Sequence, residues 1–245
     1  MFSFFSKKFD GNLDLSFLEV DMHSHLLPDL DDGLETMEQT IAFAKELQQL
    51  GYKKLICTPH ILPDVHDNSP ENILPRLEEV RKAFKENDID MPIEAAAEYM
   101  VGPDFHDAIL RGDKLLTFGN NYILIEMSYA APSQNIVQVI FDLKIKGYRP
   151  ILAHPERYNY YLGNNEIYDD FLARGCLLQI NLVSLTGFYG KPVQKAAEYL
   201  VKNKMISFIG TDMHHQGHLN MTKQIATSTK FHKMMQGLDL KNKNL

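Results

Sequence analysis

The chain has 245 residues, 44% of them hydrophobic and 23% charged, ordinary proportions for a globular protein that buries one large core or two small ones. Its net charge of −7 argues against a broad nucleic-acid surface, although bound cations can reverse the local sign of a site that takes a phosphorylated substrate. Cys57 and Cys176 form no CxxC pair, so a reduced, cytoplasmic protein is expected rather than a disulfide scaffold.

Residues 1–16 read as an N-terminal extension. Met1 to Phe5 is Phe-rich, broken by Ser3 and followed by Lys7-Lys8, too short for a signal-peptide core or a membrane span. It reads as a segment packed on the body or a frayed end, with membrane or partner contact as the alternative. From there to residue 237 short apolar runs alternate with amphipathic stretches. The expected strands are Phe17–Met22, Lys54–Thr58, Ile93–Ala97, Tyr122–Glu126, Pro150–Ala153, Leu177–Ile180 and Ser207–Gly210. The expected helices are Leu34–Leu50, Pro70–Glu86, Pro132–Lys146, Asn165–Arg174, Lys191–Asn203 and Asn220–Gln236, three of them stopped by Gly51, Gly147 and Gly175. Such alternation predicts a single α/β domain with a parallel sheet. Polar residues recur at nearly every strand end, which favours closure into a (β/α) barrel, where those ends share one face, over an open sheet with one switch point. Residues 238–245 form a polar, lysine-rich tail, expected to be disordered.

The strand ends carry the chemistry. Asp21-Met22-His23-Ser24-His25 places two imidazoles on one side of an extended segment, so His23 and His25 can grip one cation; alone, they could be two surface histidines near a turn. The turn Asp29-Leu30-Asp31-Asp32-Gly33 follows and leads into a helix. Asp32 suits the helix cap and Asp31 a metal ligand. His60 ends Cys57-Thr58-Pro59-His60, as a loop-facing ligand or a satisfied core histidine. Glu98 and Glu126 close apolar runs, where a buried carboxylate needs a metal or a salt bridge. His154 and Arg157 lie in Ala153-His154-Pro155-Glu156-Arg157. Arg157 can grip phosphate with two parallel hydrogen bonds, or pair with Glu156 or another nearby carboxylate. Thr211-Asp212-Met213-His214 ends the last strand, and Asp212 and His214, if extended, point to different metals. His66, His106, His215, His218 and His232 have weaker contexts: His232 reads as exposed on the terminal helix, and His215 and His218 are near enough to support the ligands or to touch phosphate. Neither cysteine has the arginine six positions on that a thiol phosphatase loop needs, since Pro63 and Leu182 stand there.

At these residues the chain resembles the PHP-superfamily phosphoesterases, and more narrowly the bacterial PHP-type protein-tyrosine phosphatases of capsule and exopolysaccharide synthesis. The matching stretches are Asp21 to Pro28 with Asp31-Asp32-Gly33, Thr58-Pro59-His60, Ala97-Glu98-Tyr99-Met100, Ile125-Glu126-Met127, Ala153 to Arg157, Gln179-Ile180-Asn181 and Thr211 to His214. The resemblance implies a distorted seven-stranded (β/α) barrel of the PHP type and up to three divalent cations, Mn2+ first, with Zn2+, Fe or Mg2+ as alternatives. By position, His23, His25, Glu98 and Asp212 would hold one ion. Glu98 would bridge to a second held with Glu126 and His154, and Asp31, His60 and His214 would hold the third. Arg157, His60 and His214 take catalytic places, and Arg157 clamps phosphate. Some relatives carry an arginine after the last motif; this chain reads His214-His215-Gln216-Gly217-His218, so His215 or His218 would stand in. The implied activity is hydrolysis of phosphotyrosine by metal-activated hydroxide, and the implied partner is the tyrosine-rich tail of a membrane-bound bacterial tyrosine kinase of polysaccharide export. A small-molecule phosphatase resembling those for histidinol phosphate, a nuclease, and a non-catalytic metal-bound regulator are the rival readings.

Overall fold

The structure is a computed structural model and describes residues 14–245. The Phe-rich start and Lys7-Lys8 lie outside the described residues. The last residues of the expected extension do not stand apart from the body, because Leu15 is fully buried and its amide donates to the Leu50 carbonyl.

The chain alternates strands with helices. In order they are β1 (Val20–Asp21), α1 (Met37–Gln49), β2 (Lys54–Cys57), β3 (His60–Ile61), α2 (Pro70–Glu86), β4 (Ile93–Ala95), β5 (Glu98–Met100), α3 (Pro103–Arg111), β6 (Tyr122–Glu126), α4 (Ile136–Ile145), β7 (Arg149–Ala153), α5 (Glu166–Ala173), β8 (Leu177–Asn181), α6 (Lys191–Lys202), β9 (Phe208–Gly210), α7 (Gln216–Ala226) and α8 (Thr229–Met235). The strands pair in parallel throughout, in a three-stranded sheet β1-β2-β4 and a six-stranded sheet β3-β5-β6-β7-β8-β9. Every residue of β6 is buried, as expected of a parallel strand covered on both faces.

Two expected strands end early. The run Lys54–Thr58 ends at Cys57 as β2, and Pro59, which lacks the donor a ladder requires, separates it from the short β3 beyond. The run Ile93–Ala97 ends at Ala95 and pairing resumes at Glu98 as β5, on a different sheet. These breaks carry the chain from one sheet into the other. The far edges also meet: Ser24 and Met213 form a parallel bridge, and the His25 and Asp212 amides donate to the Met213 and His23 carbonyls.

Two apolar clusters follow from the alternation along the strands. Val20, Met22, Ile56, Ala96, Leu124, Ile151, Ala153 and Phe208 form an inner cluster drawn from both sheets. The opposite strand faces pack under the helices in a larger cluster, where α1 contributes Phe43, Ala44 and Leu47. On the inner face of β6, Tyr122 and Leu124 precede Glu126, so the same alternation that fills the interior delivers a carboxylate to its rim.

Four expectations change. Helix α1 is capped by Thr36, whose hydroxyl accepts from the Gln39 amide in a capping box, not by Asp32. Helix α3 was not read from the sequence; Pro103 starts it and Gly112, at φ 82°, ends it. The single helix Asn220–Gln236 is two, α7 and α8, parted at Thr227-Ser228, where the Ser228 hydroxyl caps α8 by accepting from the Phe231 amide. His232 is buried, its Nε2 lying 2.7 Å from the Ala226 carbonyl oxygen, rather than exposed.

The tail is not disordered. Asn242 is fully buried; its Oδ1 accepts from the Ile209 amide and its Nδ2 donates to the Val20 and Ile209 carbonyls. One amide side chain thus ties the end of the chain to β1 and β9. Composition hid this, because the lysines around Asn242 face solvent while the asparagine between them replaces missing ladder partners.

Candidate metal centre

The strand ends converge. His23 and His25 follow β1, His60 begins β3, Glu98 begins β5, Glu126 ends β6, His154 follows β7, and Asp212 and His214 follow β9. Two glycines make room. A Cβ on Gly210 would collide with the His23 side chain, and one on Gly33 with the His25 backbone and Cβ. His154 and Asp212 sit in the left-handed region at φ 33° and 50°, conformations that cost ~1–3 kcal/mol each and gather at functional sites.

Three sets of ligating atoms come together: His23, His25, Glu98 and Asp212; His60, Glu98 and Glu126; and His25, Asp32, His60 and His214. His23 Nε2 and His25 Nε2 lie 3.3 Å apart, with Glu98 Oε2 at 3.1 and 3.4 Å and Asp212 Oδ1 at 3.3 and 3.4 Å. The tautomers are fixed from behind. His23 Nδ1 faces the Gln179 Oε1 acceptor at 3.0 Å, and His25 Nδ1 faces Asp31 Oδ2 at 2.6 Å. Both Nδ1 atoms therefore donate, and in the neutral rings both Nε2 lone pairs point at one spot between two carboxylate oxygens. Two lone pairs cannot bond each other; a cation at about 2.1 Å from each satisfies both.

His60 Nδ1 lies 2.8 Å from Glu126 Oε1 and 3.3 Å from Glu98 Oε2, and His154 Nε2 lies 3.0 Å from Glu98 Oε1. Buried His60 Nδ1 and Glu98 Oε1 have no hydrogen bond of good geometry, the pattern left when groups are arranged around an ion. His214 Nδ1 faces the Asp212 carbonyl oxygen at 2.9 Å, which turns its Nε2 toward Asp32 Oδ1 at 3.4 Å. The residues fit divalent cations: imidazoles and carboxylates, most of them buried, with second partners that orient them.

Electrostatics agree. Burial alone would depress His25, but Asp31, Asp212 and Glu98 around it lift it well above the ordinary imidazole value. Burial would likewise raise Glu98 and Asp212, but the surrounding imidazoles hold both well below the carboxylate range. The cluster is a well of negative charge that demands cations.

The two aspartates of the turn depart from the sequence reading, with Asp32 and not Asp31 in the set of ligating atoms. Asp31 is spent on orientation: it takes the His25 ring proton and the His60 amide through Oδ2, and the Gly33 amide through Oδ1. Asp32, 63% exposed, presents Oδ1 to His60 Nε2 at 3.6 Å and His214 Nε2 at 3.4 Å. His66 also approaches Asp32, at 3.9 Å, while His106 pairs with Asp142 outside the cluster.

Arg157 Nη1 donates to Asp212 Oδ2 at 2.9 Å, and its guanidinium lies over the Tyr129 and Tyr189 rings, 4.8 and 4.1 Å from their centroids. Its carboxylate partner is Asp212, not Glu156, which accepts instead from the Asn181 amide and the Ser184 hydroxyl. Asn181 Nδ2 holds the same Asp212 oxygen at 2.5 Å, leaving Oδ1 to the histidines. His215 caps α7, its Nδ1 accepting from the Gly217 amide, and stacks on His218 at 4.0 Å. His218 uses both ring nitrogens within the protein, facing the His214 amide and the Tyr189 hydroxyl, and burial pushes it down to about 4. Arg157, Tyr129, Phe188 and Tyr189 line a cavity of about 270 Å3 together with Asp32, His60, His154, Asp212, His214, His215 and His218.

Gln179 and Asn181 stood in the sequence at alternate positions ending an apolar run, as the His23/His25 pair does, a signal that could have assigned them as supports. Tyr129 and Tyr189 sit in turns with no periodicity to mark them. Buried Asp21, pushed up to about 6 by burial, holds β1 to the end of β9 by accepting from the Thr211 amide at 2.9 Å and hydroxyl at 2.6 Å.

Fold and site together define a parallel α/β protein whose strand ends frame a histidine–carboxylate cation centre. The family model for capsular polysaccharide synthesis, CpsB/CapC, matches residues 19–242, and the chain belongs to that family. It is 28% identical to the tyrosine-protein phosphatase YwqE of Bacillus subtilis over 195 residues, 80% of this chain and 77% of that protein. It is equally 28% identical to the tyrosine-protein phosphatase CpsB of Streptococcus pneumoniae over 200 residues, 80% of this chain and 82% of that one. In structure it matches, with a TM-score of 0.79 and 27% identity over 92% of this chain and 94% of the other, a chain from the crystal structures of YwqE and CpsB, described as unique metal-dependent tyrosine phosphatases. A histidinol phosphate phosphatase from Lactococcus lactis, at 15% identity and TM-score 0.51 over 88% of this chain and 92% of its own, shares the fold.

Proposed function

We propose that this protein is a metal-dependent protein-tyrosine phosphatase of capsule or exopolysaccharide synthesis, a phosphoric monoester hydrolase. The observation that carries it is the pair of Nε2 lone pairs of His23 and His25, 3.3 Å apart and flanked by Glu98 and Asp212, beside an arginine on a cavity wall. In this reading the two sheets, linked at Thr58-Pro59, at Ala96-Ala97 and at the Ser24–Met213 bridge, are one distorted (β/α)7 barrel of the PHP type.

His23, His25, Glu98 and Asp212 would hold one cation. Glu98, Glu126 and His154 would hold a second. Asp32, His60 and His214 would hold the third, with Asp32 in place of Asp31 and the single lone pair of a neutral His60 ring given to this position. The metal is Mn2+ in preference to Zn2+, Fe or Mg2+. Bound divalent cations supply Lewis acidity at the phosphoryl group and lower the pKa of water.

The chain's own groups do the rest. Arg157 spends one nitrogen on Asp212 and turns its remaining N–H donors to the phosphoryl oxygens, held flat between Tyr129 and Tyr189. Gln179 and Asp31 keep the His23 and His25 lone pairs aimed inward. Tyrosine leaves as a phenol of pKa about 10, so its departure needs only modest proton donation. The cavity, about 270 Å3, lies below the ~300–1,000 Å3 of sites that enclose a whole small molecule, and suits the tip of a side chain offered by a protein. The substrate is a phosphotyrosine protein, the tyrosine-rich tail of a bacterial kinase of polysaccharide export, met in the cytoplasm; among the described residues no helix is long and apolar enough to cross a membrane.

Turnover of phosphotyrosine peptides, phosphoserine peptides and histidinol phosphate, each with Mn2+, Zn2+ and Mg2+, tests the proposal. Manganese-supported hydrolysis confined largely to phosphotyrosine is expected. Preference for histidinol phosphate would overturn it.

A further inference from the structure

Tyr189 follows the 3-10 helix Leu182–Thr186 and lines the cavity, its ring under the Arg157 guanidinium and its hydroxyl oxygen 3.0 Å from His218 Nε2. His218 is buried, and its Nδ1 accepts from the His214 backbone N–H at 3.2 Å. A nitrogen that accepts from an amide carries no proton, so the ring proton of His218 resides on Nε2. That proton can only be donated to the phenol oxygen of Tyr189. The tyrosine's own proton is therefore left to point elsewhere, and among the described residues no protein acceptor takes it. Tyr189 lines the same cavity as Arg157, which is where a phosphoryl group is held in the reading above.

We propose that the Tyr189 hydroxyl donates a hydrogen bond to the phosphoryl group beside Arg157, and that His218 is its positioning residue, fixing through its tautomer which way the hydroxyl points. This rests on the phosphatase reading for the identity of the ligand but not for the geometry. A phosphoryl oxygen is an acceptor only, which is what a donor with no partner of its own requires. His218 links this donor to the backbone of His214, so the phosphate-binding wall and one candidate ligand share a support.

Tyr189→Phe removes the hydroxyl and leaves the ring under Arg157. By calorimetry with inorganic phosphate on the manganese-loaded protein, it should bind phosphate roughly 10- to 100-fold more weakly, as loss of one hydrogen bond to a charged group implies. Manganese content by elemental analysis should be unchanged. With phosphotyrosine peptide, kcat/KM should fall by a similar factor. His218→Gln, which can accept at one end and donate at the other, should retain most of the phosphate affinity, whereas His218→Leu should lose it. In the Tyr189→Phe background His218→Leu should cost little more. Nitrogen-15 NMR should show His218 protonated on Nε2 before phosphate is added. Wild-type phosphate affinity in Tyr189→Phe, or an Nδ1-protonated His218, overturns the proposal. A wild-type protein that binds phosphate but does not cleave phosphotyrosine sinks the phosphatase reading and leaves this one to the phosphate comparison. One that cleaves phosphotyrosine but binds no phosphate overturns this proposal and leaves the phosphatase reading standing.

Discussion

Asp31 and Asp32 show how finely a residue's role depends on direction rather than type. Both are aspartates in one turn, yet Asp31 accepts the His25 ring proton while Asp32 faces His60 and His214. Sequence places both near the site and cannot orient either, because a tight turn sends adjacent side chains to opposite sides. The consequence is testable with one pair of variants. Asp31→Asn leaves the ligands in place but weakens the acceptor behind His25, and should lower metal affinity roughly 10–100-fold, measured by metal titration. Asp32→Asn should empty the outer position while the His23/His25 ion remains. At the same scale, His23→Ala or Asp212→Ala should abolish turnover with the circular dichroism spectrum intact. The thiols belong here too: Cys57 and Cys176 are fully buried and pushed up to about 12 by burial. Thiol alkylation of the folded enzyme should leave activity unchanged; inactivation would implicate a cysteine after all.

At the scale of elements, the helices and long strands were legible in the sequence because period and punctuation agree. Pro70–Glu86 runs where its apolar spacing and Pro70 put it, and Tyr122–Glu126 is a strand as read. The failures share a cause. Strands β2/β3 and β4/β5 break where the ladder changes sheets, a tertiary event invisible to periodicity. Helix α3 is short, with Phe105 and Ile109 as its buried residues, too few to register as a pattern. The tail is ordered against expectation because one buried asparagine outweighs the two lysines beside it. Asn242→Ala should therefore destabilise the fold by about 1–3 kcal/mol, since it strands buried backbone groups of β1 and β9. Denaturant unfolding reads this directly, and an unshifted midpoint would show the tail to be a passenger. Gly210→Ala should damage the site rather than the fold, as its Cβ would displace His23.

For the molecule as a whole, the architecture gathers side chains far apart in sequence around one rim, and the price is a buried cluster of like charges. Glu98, Glu126 and Asp212 lie almost wholly out of water. Unneutralised carboxylates there are costly, so cations stabilise the folded state by mass action as well as supplying chemistry. Chelation should lower the thermal midpoint, and manganese should restore it in a concentration-dependent way. The convergence of the candidate ligands was legible in the sequence because these residues are strand ends, where chemistry and topology coincide. The aromatic wall around Arg157 was not, since Tyr129 and Tyr189 reach it from turns that carry no pattern. Anomalous scattering from crystals grown with manganese tests the central claim most directly. The account predicts a peak about 2.1 Å from both His23 Nε2 and His25 Nε2, between Glu98 and Asp212. No anomalous density at that point under saturating manganese would contradict it.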